Sequence, residues 1–233
     1  MNPSTDSFLS GAHSVPVDIF MPTAAATRCP AVLVLHGSFG LQPPYGDDIV
    51  SFARALAARG MAAVMPHYLD ATGTTAGSGV VLLIEPMRLT WQAIASDTLT
   101  WMAKDARLNP AQFALLGFSL GAHLALAVAM DPPRGPRPLC VVDFFGPIQG
   151  LAPHWSRMPP IQIFHGGKDE IVPPSESTRL VALLVTAGKK EGSDYSFTPY
   201  PGEGHGFAGK ALAQSRDEAV QFIEKSLRRV PHP

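Results

Sequence analysis

Apolar and polar positions along the chain switch repeatedly between a period of two and a period near 3.6. Val15–Phe20 (VPVDIF) alternates apolar and polar residues and reads as an outer strand. Ala31–Leu35 (AVLVL) is a short unbroken apolar run, the pattern of a strand buried on both faces. Asp47–Arg59 returns to helical spacing through Ile49, Phe52, Leu56 and Ala57, and Gly60 stands where a helix-ending glycine is expected. Met61–Met65 is the next strand, stopped by Pro66. Tyr68–Gly79 is small and polar and reads as a flexible loop, with a possible flap at Thr72–Gly79. Glu85 to about Ala106 is a long amphipathic helix carrying Met87, Trp91, Ile94, Leu99 and Met102. Phe113–Leu116 is a strand that runs directly into a helix from about Leu120 to Met130. Leu139–Phe144, Ile161–Phe164 and Tyr195–Pro199 are further strands, and Glu176–Ala187 and Leu212–Arg229 further helices.

Strand-then-helix alternation of this kind predicts an α/β fold, with a mostly parallel central sheet and helices on both faces. No internal repeat appears, and no stretch has a linker's composition and length, so one domain is expected over residues 1–233. In open sheets of this class, ligands sit beyond the carboxyl ends of the strands. That rule directs attention to the loops after Leu35, Gly117, Phe164 and Pro199.

Composition narrows the function classes. Hydrophobic residues make up 46% of the 233 positions and charged residues 16%, which supplies ample core and excludes disorder as the main state. A net charge of −1 gives no electrostatic reason to expect nucleic acid or an anionic membrane as partner. Leu108–Met130 carries no Asp, Glu, Lys or Arg, yet its Asn109, Pro110, Gln112, Ser119 and His123 favour a strand, a turn and a buried helix over a membrane span. The N-terminus lacks the basic and apolar regions of a secretory signal, so a cytoplasmic location is expected. Cys29 and Cys140 have no metal-binding spacing and are read as free, buried thiols in a reducing compartment.

Chemistry gathers at the strand ends. Gly117-Phe118-Ser119-Leu120-Gly121 is a G-x-S-x-G between a strand (FALL) and a helix (AHLALAVAM). Such a turn lifts the serine hydroxyl above the sheet at a helix N-terminus, where free amides and the helix dipole favour developing negative charge. A serine hydroxyl attacks poorly unless a base takes its proton. His205, among Gly202, Gly204 and Gly206 just before the last helix, is the best placed of eight histidines. His36, His67, His123 and His165 compete, with structural hydrogen bonding as the alternative role for His36 and His165 and helix packing for His123. A carboxylate should orient the imidazole. Asp169, in IQIFHGGKDEIVPP, is preferred over its neighbour Glu170 and over Asp143, which serves equally as a satisfied buried carboxylate. The order Ser119, Asp169, His205 is that of the α/β-hydrolase fold. The oxyanion donors are assigned to the amides of Leu120 and Ser38, with Gly37 and Phe39 as alternatives to Ser38. Phe39, Tyr45, Tyr68 and Phe207 are candidates for an apolar pocket wall, with core packing as the equal alternative.

With these residues in place, the sequence resembles the dienelactone hydrolase family of α/β-hydrolases. The resemblance covers most of the chain and rests on Val17-Asp18-Ile19-Phe20-Met21-Pro22, Ser38-Phe39-Gly40, the serine elbow, His165-Gly166-Gly167-Lys168-Asp169 with Val172-Pro173, and Gly204-His205-Gly206-Phe207. It implies a minimal hydrolase without a separate lid domain, a triad of Ser119, Asp169 and His205, a small-molecule acyl substrate, and no metal or organic cofactor. Three departures stand out. Family members that open dienelactones carry a cysteine nucleophile where this chain has Ser119, and a thiol-tuning glutamate where it has Gly37. They also hold the substrate carboxylate with arginines, and only Lys210 stands near one of those positions. These departures favour a serine esterase or lactonase over an enzyme for dienelactone itself. A non-catalytic binding module, and a thioesterase or peptidase on the same scaffold, are the alternatives. Oligomeric state is not readable from the chain.

Overall fold

The alternation of side-chain direction along the strands decides the architecture. The computed structural model describes residues 2–23, 28–131, 135–152 and 154–228. Eight strands form one sheet: β1 (Ser4–Ser10), β2 (His13–Phe20), β3 (Cys29–Leu35), β4 (Ala62–Pro66), β5 (Leu108–Phe118), β6 (Val141–Phe144), β7 (Ile161–Gly166) and β8 (Tyr195–Tyr200). Their order is β1-β2-β4-β3-β5-β6-β7-β8. The pairs β1/β2 and β2/β4 are antiparallel; all the others are parallel. The helices are α1 (Gly46–Ala58), α2 (Tyr68–Ala71), α3 (Ile84–Met102), α4 (Leu120–Met130), α5 (Ser175–Thr186) and α6 (Gly209–Arg228).

The unbroken apolar runs split by parity into two cores, as a side-chain period of two requires. Leu33 and Leu35 of β3, Val64 of β4, Leu115 of β5 and Ile163 of β7 pack with Trp91, Leu99, Leu124 and Leu180 on the α3–α4–α5 face. Val32, Val34, Met65, Leu116, Val142 and Phe164 pack on the other face with Phe52 and Leu56 of α1 and Val220, Ile223 and Leu227 of α6. Helix α4 is apolar on every side because the sheet lies beneath it and α3 beside it. Helix α1 ends as predicted at Gly60, whose φ is +82°. Its amide donates to the Ala57 carbonyl and that of Met61 to the Leu56 carbonyl, the paired bonds of a Schellman cap.

Some elements differ from the sequence reading. Strand β1 was not anticipated, because STDSFLS is an exposed edge strand with little apolar alternation. Strand β5 is longer than Phe113–Leu116: the register shift in its pairing with β3 accommodates the polar start that contains Pro110. Strand β6 begins at Val141 rather than Leu139, and α3 ends at Met102 rather than near Ala106. The expected helix end at Arg229, and residues 132–134 of a proline-rich stretch, lie outside the described residues.

The segment Tyr68–Gly79 is not the open loop expected. It contains α2 and leads into a 3₁₀ turn at Ser78–Leu83. Its polar groups are used internally: Trp91 Nε1–H donates to Thr72 Oγ1 at 3.0 Å, and Tyr68 O–H donates to the His36 carbonyl at 2.6 Å. Tyr68 is buried and stacks on His36 with ring centroids 4.3 Å apart, so it is a core residue and not a pocket wall. The Gly77 amide donates to the Ser38 carbonyl at 2.9 Å, which ties this segment to the loop after β3. Cys29 and Cys140 are free and buried. Among the described residues, no helix is long and apolar enough to cross a membrane.

Candidate active site

Close backbone crossings build the site at the carboxyl ends of the parallel strands. Ser119 stands between β5 and α4 at φ +55°, ψ −118°, a strained conformation for a non-glycine residue. Two glycines let strand and helix approach closely enough to enforce it. A Cβ on Gly117 would lie 2.4 Å from Ala122 Cα, and one on Gly121 would lie 2.1 Å from the Leu35 carbonyl oxygen. Ser119 is held from both sides: its amide donates to the Phe144 carbonyl at 2.9 Å, and its carbonyl accepts the His123 amide at 3.0 Å.

The loops that carry Asp169 and His205 are also bound to each other. Gly167 N–H donates to the Tyr200 carbonyl and Lys168 N–H to the Glu203 carbonyl, both at 2.8 Å. A Cβ on Gly166 would meet the Gly204 carbonyl oxygen at 2.3 Å, so the loop after β7 crosses the loop after β8 only with glycine there. This crossing brings His205 Nδ1 to 2.8 Å from Asp169 Oδ2. On its other side, His205 Nε2 lies 2.9 Å from Ser119 Oγ. An ionised carboxylate only accepts hydrogen bonds, so the ring proton sits on Nδ1 and the Nε2 lone pair faces the serine.

Asp169 is buried and fully employed. Its Oδ1 accepts the Ile171 and Val172 amides at 2.9 and 2.8 Å. Burial alone would raise its carboxyl, but the hydrogen bonds from His165, His205 and the Val172 amide outweigh it and hold the group well below the usual carboxylate range. His165 takes the structural hydrogen-bonding role open to it from the sequence, with Asp169 as a partner the sequence does not name. His165 Nε2 lies 2.9 Å from the Val172 carbonyl and 3.4 Å from Asp169 Oδ2, and its Nδ1 is 2.6 Å from Ser177 Oγ. Nothing in the HGGKD string separates this histidine from an ordinary strand-end residue; only the bend of the loop reveals it.

The other candidates are engaged elsewhere. Glu170 is exposed. Asp143 is fully buried; its Oδ1 accepts the Gly146 amide at 2.8 Å, and burial pushes its pKa up to about 7. His123 Nδ1–H donates to the Pro147 carbonyl and His36 Nδ1–H to the Gly37 carbonyl, each at 2.9 Å. His67 faces Asp18 and Asp70.

Leu120 is the first residue of α4, where a helix leaves its amide without an intrahelical acceptor. Ser38 lies in the loop after β3, closed by a Gly40 N–H to Gly37 carbonyl bond at 3.0 Å, and its own amide has no backbone acceptor among the described residues. Beside Ser119 and His205 opens a cavity lined by Phe39, Tyr45, Phe52, Phe145 and Phe207 together with Asp48. Phe39, Tyr45 and Phe207 are therefore wall residues, as the sequence allowed. Phe145 was not foreseen: it follows β6 at φ +47° and places its ring 4.7 Å from that of His205. Among the described residues, no cluster of three His, Cys, Asp or Glu side chains has the geometry to hold a metal ion.

Comparison with known proteins bears on the family and the fold. The model of the dienelactone hydrolase family matches residues 16–230. The chain belongs to that family. The chain is a hydrolase acting on ester bonds. An uncharacterized protein of Mycobacterium tuberculosis H37Rv is 26% identical over 237 residues, covering 87% of this chain and 75% of that one. A dienelactone hydrolase-like promiscuous phosphotriesterase from metagenomic libraries superposes with a TM-score of 0.78 at 17% identity, covering 96% of this chain and 97% of the other. A thermophilic esterase of Thermogutta terrifontis, solved with propionate bound, superposes with a TM-score of 0.72 at 19% identity over 100% and 97% of the two chains. The fold is that of the α/β-hydrolases.

Within the dienelactone hydrolase family, the departures now have positions. A Cβ at Gly37 would lie 3.4 Å from Ser119 Cβ and 4.0 Å from its Oγ, so a longer side chain there would start against the serine. Lys210 is exposed near the start of α6 and is not among the residues lining the cavity.

Proposed function

We propose that the protein is a serine carboxylesterase or lactonase acting on a small acyl compound, with Ser119 as nucleophile, His205 as general base and acid, and Asp169 as the carboxylate that orients it. The observation that carries this reading is the continuous chain of contacts from Ser119 Oγ to His205 Nε2 at 2.9 Å and from His205 Nδ1 to Asp169 Oδ2 at 2.8 Å.

In this mechanism His205 Nε2 takes the Ser119 proton as Oγ attacks the substrate carbonyl carbon. The carbonyl oxygen becomes an oxyanion held by the amides of Leu120 and Ser38; one such donor is worth about 10²–10³ in rate. Collapse breaks the bond to the alcohol, which leaves with the proton carried by His205, and an acyl-enzyme remains. Water then gives its proton to His205 and attacks the acyl carbon. The second collapse returns that proton to Ser119 Oγ and frees the acid. Asp169 remains ionised throughout and stabilises the imidazolium formed in each half-reaction. The two buried free thiols fit a reducing compartment such as the cytoplasm.

The test is hydrolysis of short p-nitrophenyl esters by the wild type and by Ser119→Ala. The reading predicts a fall in kcat of at least about 10³-fold in the variant. Equal rates would remove Ser119 as nucleophile.

A further inference from the structure

The cavity beside Ser119 has a chemical character that bears on substrate choice. Its walls are aromatic and mutually edge-on: Phe39 and Tyr45 meet at 5.5 Å and 68°, and Phe145 and Phe207 at 5.6 Å and 66°. Phe52 of α1 also lines it. Such an arrangement offers ring faces and ring edges together, the two surfaces an aromatic guest uses. No lysine or arginine lines the cavity among the described residues. The charged side chain that does line it, apart from the titratable His205, is Asp48 in the first turn of α1. Partial burial, and after it the adjacent Asp47 charge, raise the Asp48 carboxyl above its ordinary value.

We infer that the substrate is an uncharged ester bearing an aromatic ring, and that Asp48 excludes esters that carry a carboxylate. This rests on Ser119 being the nucleophile, as proposed above. The rings supply apolar area and preferred stacking geometry for the neutral group. A carboxylate placed in the same cavity would lose hydration, find no basic side chain and face a like charge. Selectivity therefore comes from a repulsive element as well as an attractive one. Helix α1 gains from acidic residues in its first turn, but the exposed Asp47 serves that purpose without entering the cavity.

Matched esters test the inference with the aromatic ring on either side of the ester bond. The first pair is benzyl acetate and 4-carboxybenzyl acetate; the second is methyl phenylacetate and methyl 4-carboxyphenylacetate. In at least one pair the neutral member should show a kcat/KM about tenfold or more above the charged one, and benzyl acetate should exceed ethyl acetate by a similar factor. The neutral-to-charged ratio should shrink in Asp48→Asn, and in the wild type as salt rises from about 0.02 M to about 0.5 M, because a charge effect is screened and a steric one is not. Equal turnover of neutral and charged esters, a preference for the charged ones, or a ratio unmoved by both Asp48→Asn and salt would overturn the exclusion. Equal turnover of benzyl and ethyl acetate would overturn the aromatic part. Labelling of Ser119 by an uncharged aryl fluorophosphonate separates the two levels. A labelled enzyme that prefers charged esters sinks this inference alone, whereas an unlabelled protein that turns over no ester sinks the assignment of Ser119 and this inference with it.

Discussion

Gly121→Ala is the sharpest perturbation of the site that touches no reacting group. Gly121 lies in the first turn of α4, where alanine is intrinsically about 1 kcal/mol better than glycine. Helix propensity alone would therefore make the variant more stable. The crossing with β3 reverses this. The new Cβ would lie 2.1 Å from the Leu35 carbonyl oxygen and 2.4 Å from that of His36, both backbone atoms that cannot swing away. Side-chain Cβ atoms essentially never come within 3.0 Å of such atoms, so α4 must retreat from the end of β3 by roughly the 0.9 Å that remains. Overpacking of this kind costs about 1–3 kcal/mol, which leaves a net loss of up to about 2 kcal/mol after the propensity gain. The larger effect is on rate. Leu120 and Ser38 stand on opposite sides of this crossing, so the shift moves one proposed oxyanion donor relative to the other. A displacement of about 1 Å in a catalytic group costs on the order of 10²-fold. The assay is kcat/KM on p-nitrophenyl butyrate alongside a urea unfolding midpoint. A variant that stays folded and retains more than about half of wild-type kcat/KM would refute the claim that this crossing aligns the two donors.

Other substitutions probe single links. Asp169→Asn should lower kcat by about 10³–10⁴-fold with little change in KM, because an amide nitrogen beside His205 Nδ1 disturbs the tautomer; a loss under about tenfold would contradict the role given to Asp169. Asp143, with a native pKa of about 7, holds its proton at pH values where the unfolded chain has lost it, from about 3.9 upward, so native stability falls as pH rises through that window. Asp143→Asn removes this loss, and its Tm relative to wild type should rise between pH ~5 and pH ~8; a constant difference would contradict the raised pKa of this buried carboxylate. Gly60→Ala forces alanine into φ +82° with no atom within 4 Å of the new Cβ, so it should cost about 1–2 kcal/mol in urea unfolding while leaving kcat/KM unchanged. An unchanged unfolding midpoint would show that the cap does not need glycine there.

The sheet centre was readable because a strand buried on both faces must be apolar at every position, as AVLVL and FALL are. The serine, histidine and carboxylate were readable because each stands at a strand end among glycines, and those glycines permit the close crossings at Gly117, Gly121 and Gly166. Features that depend on contacts distant in sequence were hidden. Strand β1 lacks a buried face, so no periodicity marks it. The segment from Tyr68 looked solvated because its threonines are polar, yet Thr72 accepts the indole N–H of Trp91 across nineteen positions. His165 touches Asp169 only because the loop doubles back, and Phe145 reaches His205 only through a left-handed residue with no glycine to announce it. Nothing local in the sequence separates Asp48 from any acidic residue in a helix's first turn; only the folded chain brings it to the cavity lining.

The central claim is that His205, held by Asp169, makes one particular hydroxyl nucleophilic. Peptide mapping after reaction with a fluorophosphonate, run on wild type and His205→Gln, tests it most directly. The account predicts one phosphonyl adduct per chain, located on Ser119, with labelling slowed by about 10²-fold or more in His205→Gln. An adduct on a different side chain, or equal labelling rates in the two proteins, would contradict it.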